Sequence, residues 1–396
     1  MRPQTPRPRS IALIGSFAPS LVRFRLDLIR AMIAEGHRVT AFAPEDDHDV
    51  RRTLAREGCN FEVIEMARTG TNPLADVALL IRMLKAFRRL RPDVVICYTM
   101  KPVIYGGIAA RWLGIPERHA LMTGLGHVFA DPEPQGKVRI LRRLSIWLYR
   151  QALKGVDRIF VYNAADEADL RDFRMVPPET PLIRVAGTGV NLDRFKQSRL
   201  PEGTPSFLLI ARLLADKGVR EYVDAARQLK ADWPQARFRI VGPLDPNPTG
   251  IQAEEVADWK RSGVVEYCGA TDDVRPFLDE ASVFVLPSYY REGIPRSILE
   301  AMSKGRPVVT TNLPGCADTI EHGVSGYLVP PRDTQALADG MKHFLECPQS
   351  ISTMGAHARV RAEQIFDIHA VNAHLLSEMG LSRRPSTRAS CITKVA

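Results

Sequence analysis

Ala281-Ser282-Val283-Phe284-Val285-Leu286-Pro287-Ser288, then Tyr290-Arg291-Glu292-Gly293-Ile294-Pro295-Arg296-Ser297-Ile298-Leu299-Glu300-Ala301-Met302, then Arg306-Pro307-Val308-Val309-Thr310-Thr311, follow one another almost without interruption. The outer two are short apolar runs rich in β-branched residues, as buried parallel strands read. The middle one opens as a loop and continues as a helix, so the three make a βαβ unit. Gly293 permits a close backbone approach and Pro295 suits a first helical turn, which leaves helix-start N–H groups facing out of the sheet's carboxyl edge toward an anion. Glu292 lies in that loop. Glu300 comes about seven steps of 100° after Gly293, on roughly the same helical face. A carboxylate beside a phosphate site serves as an acceptor for hydroxyl groups. The expected ligand therefore carries phosphate flanked by hydroxylated rings, as a nucleotide sugar does. Two glutamates at this spacing also occur on solvated helices, so the rest of the chain has to agree.

It does. Phe207-Leu208-Leu209-Ile210-Ala211-Arg212-Leu213-Leu214-Ala215-Asp216-Lys217-Gly218 is a strand, a loop and a helix start that carries an Arg and a Lys five apart. Together with Glu292-Gly293-Ile294-Pro295, Glu300-Ala301-Met302 and Gly305-Arg306-Pro307-Val308-Val309, it resembles the family 4 retaining glycosyltransferases. Tyr98-Thr99-Met100-Lys101-Pro102 with Tyr105-Gly106-Gly107, and Met122-Thr123-Gly124-Leu125-Gly126-His127-Val128-Phe129, are similar to signatures of bacterial members that build surface polysaccharides on polyprenyl-diphosphate carriers. The likeness spans about residues 10–370.

The resemblance implies an α/β chain of GT-B fold, two Rossmann-like parallel-sheet domains facing across a cleft. It implies a retaining hexosyltransferase that needs neither metal nor cofactor, moving a sugar from a nucleotide-sugar donor, expected to be a UDP-sugar, to a lipid-linked or surface-polysaccharide precursor. Attack comes from the face the leaving group occupies, the leaving phosphate helps deprotonate the acceptor, and no side-chain nucleophile is expected. Arg212 and Lys217 grip the donor diphosphate, as a departing nucleoside diphosphate requires fixed positive charge. Glu292, Gly293, Ile294, Pro295 and Glu300 complete the donor site, with Gly15 and Ser16 from the first domain and Gly269 near the base. Glu292, Arg212 and Lys217 form the catalytic set, and His127 is a candidate beside the sugar, although the short motif usual around such a histidine is absent. Lys101 and Tyr105 are candidate acceptor ligands, Lys101 for the acceptor phosphate; the alternative for Lys101 is a solvated surface lysine. The chain departs from the family at Thr188 and Asn191, where Asn-Gly-Val-Asp is common, and at Gly242, where a second glycine often follows. Two other readings stay open: a GT-B sugar-nucleotide epimerase, which would need carboxylates on loops of the first domain, and a degenerate, non-catalytic binding subunit.

Composition agrees with two domains having real cores: 396 residues, 45% hydrophobic and 25% charged. The six cysteines form no CxxC or metal-like cluster and suit a reducing cytoplasm. Asp47-His48-Asp49 is formally an Asp-x-Asp triplet but sits in a polar loop far from the diphosphate pair, so no metal is expected. The net charge of +9 is concentrated at Arg2, Arg7 and Arg9, in residues 137–158 with seven basic and one acidic side chain, and in 382–396. Nucleic-acid motifs are missing. Residues 137–158 read as a helix with Ile140, Leu141, Leu144, Trp147 and Leu148 packed inward and Arg139, Arg142, Arg143 and Arg150 outward, toward an anionic membrane surface. The enzyme is thus expected in the cytoplasm, peripheral on the inner face of the cell membrane.

The arginine-rich start followed by Ile11-Ala12-Leu13-Ile14 resembles a signal peptide, but a helix over 21–35, Gly36 and the strand Arg38-Val39-Thr40-Ala41-Phe42-Ala43 follow, so it reads as the first strand of a βαβ unit. No run of about 18 apolar residues is present. Domain boundaries are expected as 1–198 for the acceptor domain, 199–367 for the nucleotide-sugar domain, a last helix over 368–381 returning to the first, and a disordered basic tail over 382–396.

Overall fold

A computed structural model describes residues 7–67, 72–125, 129, 134–247 and 249–382. The chain forms two compact units, Met1–Thr188 with Ile368–Ala396, and Gly189–Asp367.

In the first unit the chain runs β1 (Ser10–Ile14), α1 (Ala18–Phe24), α2 (Leu26–Ala34), β2 (Arg38–Ala43), α3 (His48–Arg56), β3 (Asn60–Val63), α4 (Pro73–Leu90), β4 (Val94–Tyr98), a π-helical turn (Pro102–Gly106), α5 (Gly107–Trp112), β5 (Glu117–Met122), α6 (Gly136–Leu153), β6 (Arg158–Val161), α7 (Ala164–Asp172) and β7 (Leu182–Arg184). The seven strands are all parallel, in the order β3-β2-β1-β4-β5-β6-β7. The run that mimics a signal peptide is β1, buried at the centre of this sheet. Alternate residues such as Ala12, Ile14, Val95, Cys97, Ile159 and Val161 face one core together with α4, α5 and α6, following the period of two that strands impose.

The second unit runs β8 (Ser206–Ile210), a 3-10 turn (Ala215–Lys217), α8 (Val219–Asp232), β9 (Arg237–Val241), α9 (Ala253–Ser262), β10 (Glu266–Tyr267), α10 (Arg275–Asp279), β11 (Val283–Leu286), α11 (Arg296–Ser303), β12 (Val308–Thr311), β13 (Gly326–Val329), α12 (Thr334–Glu346) and α13 (Gln349–Ile365). Its six parallel strands lie in the order β10-β9-β8-β11-β12-β13. α14 (Ile368–Glu378) then returns to the first unit and packs on α2, and Leu381 O lies 2.8 Å from His37 Nε2.

Several expectations change. The boundary falls between Thr188 and Gly189 because 189–205 is held by the second unit: Ser303 donates to Phe195 O, and the buried Arg306 guanidinium donates to the carbonyls of Ser198 and Arg199. The helix expected over 21–35 breaks at Arg25, whose side chain turns inward, donates to Tyr162 Oη at 2.8 Å and stacks 4.8 Å from the Tyr98 ring. Asp47 is the N-cap of α3, accepting from the amides of Asp49 and Val50, so its triplet is a helix start and not a loop. α6 departs from expectation in part. Arg142, Ser145, Tyr149, Ala152 and Leu153 are buried, while Ile140, Leu144 and Trp147 are exposed. Arg142 stacks on the Phe129 and Phe173 rings, and Arg150 donates to the carbonyls of Phe173 and Arg174. Of the four arginines expected to face a membrane, Arg142 is buried, while Arg139, Arg143 and Arg150 are exposed, Arg150 with its guanidinium held by the two carbonyls. The tail beyond residue 382 lies outside the described residues.

Candidate functional site

The strand order of each sheet reverses direction once, between β1 and β4 in the first unit and between β8 and β11 in the second. In open α/β sheets the crevice at such a reversal, outside the carboxyl ends of the strands, is where ligands sit. The expected residues gather there. Arg212 and Lys217 follow β8, Glu292 follows β11, and these two strands are neighbours.

Lys217 reaches its place through tight local geometry. The 3-10 turn ends at Gly218, which adopts φ 72° and lies so close to β11 that a Cβ would run into the Pro287 carbonyl. Both conditions require glycine. Asp216 O then accepts from the amides of Tyr289 and Tyr290 at 2.9 and 2.8 Å and from the Ser288 hydroxyl at 3.2 Å, stitching the loop after β8 to the loop after β11. Across this seam the Lys217 ammonium is bonded to Glu292 Oε1, which also accepts from Ser288 Oγ at 2.9 Å. Lys217 lies 5.0 Å from the Tyr290 ring centroid. Both ions of the pair are largely buried, at 14% and 11% side-chain exposure. Arg212 donates to Asp245 at 2.6 Å and stays 43% exposed. Burial first, and then the Glu292 charge, raise the Tyr290 hydroxyl above its ordinary range, while the Arg212 charge pulls the other way, so both charges act at one ring.

Residues 293–295 lead into α11. Gly315, at φ 84°, packs so closely that a Cβ would strike the Gly293 and Glu292 carbonyls. Pro295 is the N-cap with extended backbone rather than the first helical residue, and α11 starts at Arg296 with neither a side-chain cap nor an acidic residue in its first turn. The 100° steps therefore do not run from Gly293 to Glu300. Glu300 pairs instead with Arg296 one turn back, at 3.1 Å, with 15% of its side chain exposed. Burial raises its pKa, and the Arg296 charge opposes the shift. Gly269 follows β10, three strands from β11, at φ 78° with open space where a Cβ would be.

The other expected residues lie in the first unit, about its own reversal point. Gly15 follows β1 and sits against the Tyr98 hydroxyl; Ser16 Oγ accepts from Thr99 Oγ1 at 2.8 Å, linking the ends of β1 and β4. Thr99 adopts φ 67°, unusual for a β-branched residue and a mark of strain. Lys101 is not a solvated lysine: it bonds Asp76 Oδ1 at 2.8 Å with 15% exposure. Tyr105 is buried in the π-helical turn; burial, and then Asp76, raise its hydroxyl. Asp76 thus joins both acceptor candidates. His127 lies outside the described residues. The sequence reading left Asp76, Asp216, Ser288 and Tyr290 without roles; Asp216 and Ser288 act partly through backbone atoms, which no side-chain pattern reveals. Among the described residues no His, Cys, Asp and Glu cluster is arranged to hold a metal.

Comparison with known proteins agrees with this geometry. Residues 21–185 match the family model described as glycosyl transferase 4-like domain, and residues 204–347 that of glycosyl transferases group 1. The chain is 29% identical over 350 residues to the N,N'-diacetylbacillosaminyl-diphospho-undecaprenol alpha-1,3-N-acetylgalactosaminyltransferase of Campylobacter jejuni, covering 85% of this chain and 89% of that one. It is 25% identical over 310 residues to the UDP-Gal:alpha-D-GlcNAc-diphosphoundecaprenol alpha-1,3-galactosyltransferase of Escherichia coli, covering 74% and 77%. Among solved structures, HepE of Anabaena in complex with UDP and glucose superposes with a TM-score of 0.75 at 18% identity, covering 94% of this chain and 99% of that one, which supports the fold. With both family models matched in chain order and two Rossmann-like sheets built as the family requires, the chain belongs to the group 1, family 4-like glycosyltransferases of GT-B fold.

Proposed function

We propose that this glycosyltransferase is retaining and metal-independent, takes a UDP-sugar, and extends a polyprenyl-diphosphate-linked glycan at the inner face of the cell membrane. The observation that carries the reading is the seam between the loops after β8 and β11, where Lys217, Glu292 and Ser288 are bonded together beside the uncapped start of α11. Arg212, Lys217 and the helix-start amides supply the positive field that a departing UDP needs, the task a metal performs in other transferases. Glu292 accepts hydroxyls of the transferred sugar and Glu300 those of the ribose, the acceptor role a carboxylate serves. With the donor fixed by its diphosphate, the acceptor hydroxyl attacks from the side the UDP leaves, gives its proton to the departing phosphate oxygen, and the anomeric configuration is kept. Lys101 meets the acceptor diphosphate by exchanging Asp76 for phosphate oxygens. The relatives named above carry undecaprenol-diphosphate substrates in their names, which supports this acceptor class.

UDP release from a panel of UDP-sugars, with and without a synthetic polyprenyl-diphosphate glycan, tests the reading. Acceptor-dependent release that survives a chelator is expected. Release without acceptor together with epimerised sugar, no release at all, or loss with chelator and rescue by magnesium or manganese would each overturn the part it addresses.

A further inference from the structure

The outer surface of α4 and α6 is both apolar and basic. Leu74, Val77 and Ile81 on α4 are 81%, 55% and 47% exposed, and Ile140, Leu144 and Trp147 on α6 are 69%, 48% and 55% exposed. Each triplet follows helical spacing and forms one stripe. Both helices pack against the π-helical turn and α5 that lie between them, so the stripes flank one side of the first unit, and Trp112, 60% exposed, ends α5. Lys85 and Arg88 on α4 and Lys137, Arg139 and Arg143 on α6 are exposed on these helices, and no described carboxylate pairs with them. α5 and α6 contain no acidic residue, and the only one on α4, Asp76, is engaged by Lys101.

We infer that this side of the first unit is a lipid-docking face, with the apolar stripes of α4 and α6 entering the interfacial layer of an anionic bilayer while the flanking lysines and arginines meet its phosphates. The charge complementarity decides the occupant. Surfaces that bind proteins are depleted in lysine at their centres, whereas aliphatic and tryptophan side chains ringed by basic ones suit a helix lying in an anionic headgroup layer. The face is also continuous with the acceptor candidates, because Asp76, which holds Lys101, lies between Leu74 and Val77 in the first turns of α4. A diphosphate at Lys101 would therefore have its polyprenyl chain close to the inserted stripe. The inference rests on the lipid-linked acceptor reading for its purpose, but the face can be tested without it.

The full-length protein is sedimented with vesicles of phosphatidylglycerol and phosphatidylethanolamine, and with phosphatidylcholine vesicles, at low and high salt. Two variants accompany it: Ile140→Ser, Leu144→Ser, Trp147→Ser and, separately, Leu74→Ser, Val77→Ser, Ile81→Ser. All six side chains are exposed, so both variants should keep the wild-type thermal transition. Expected are binding to the anionic vesicles that weakens but persists in high salt, at least tenfold weaker partitioning for each variant, and quenching of Trp fluorescence by brominated lipid that is lost in Trp147→Phe. Wild-type partitioning by either variant, an absence of vesicle binding, or a dimer in sedimentation equilibrium that the substitutions abolish would overturn the docking face. Turnover of the detergent-solubilised glycan is measured in parallel. Vesicle binding without turnover would sink the acceptor reading alone, and turnover without vesicle binding the docking face alone.

Discussion

Arg212 and Glu300 show how differently two residues of the proposed donor site relate to the fold. Arg212 makes one ion pair, to Asp245, and is 43% exposed, so its contribution to stability is small. Its proposed contribution, to stabilising a leaving diphosphate, is large. Arg212→Ala should lower kcat by on the order of a hundredfold while leaving the thermal midpoint nearly unchanged, read by UDP release and by unfolding on the same preparation. Turnover at the wild-type rate would remove Arg212 from the site. Glu300 is the opposite case, since burial raises its pKa in the folded state. Below the unfolded carboxylate range both states are protonated and the group costs nothing. As pH rises, the unfolded chain ionises first and folding loses stability until the folded-state pKa is passed. Glu300→Gln should therefore gain stability relative to wild type as pH rises above the unfolded carboxylate range, and raise the donor KM. A stability difference independent of pH would contradict the burial argument. Arg212, Lys217 and Glu292 were legible because motif spacing after a strand fixes where side chains emerge. Ser288 was not, because its part depends on Thr311 Oγ1 and Asp216 O fixing the loop around it at 2.6 and 3.2 Å.

Among the elements, β12 is preceded by a residue that anchors the second unit. Arg306 is fully buried, and its guanidinium donates to the carbonyls of Leu278, Ser198, Lys304, Arg199 and Asp279 and to the Ser198 hydroxyl. Burial pulls its pKa down to about 10. Arg306→Met would fill much of the volume but strand these carbonyls, a loss of about 3–5 kcal/mol by analogy with broken buried charge networks. Denaturant unfolding would measure it, and a change below about 1 kcal/mol would refute the anchoring role. The sequence shows this arginine only as part of a motif, because its six acceptors come from three separated segments. α6 failed to read correctly for a related reason. Its apolar stripe at Ile140, Leu144 and Trp147 is real, but periodicity says that a helix has two faces and not which one the core receives. Phe129 and Phe173 accept Arg142, and Tyr149 fills the remaining depth.

Across the whole molecule, two parallel sheets each reverse strand order once, and of the residues singled out from sequence Arg212, Lys217, Glu292, Gly15, Ser16 and Lys101 follow strands at those reversals, whereas Gly269 follows an edge strand. The strands were legible because buried parallel strands are continuous apolar runs. The unit boundary was less so: the proline- and glycine-containing stretch 196–205 looks like a linker, yet Arg306 and Ser303 bind it into the second unit. In the mechanism proposed here, donor charges in the second unit support departure of UDP while a hydroxyl of the lipid-linked acceptor attacks from the same side. NMR of the product formed from an α-configured UDP-sugar and a polyprenyl-diphosphate glycan tests it most directly. An α-configured glycosidic linkage, formed with release of UDP, is expected. A β-linked product would contradict it.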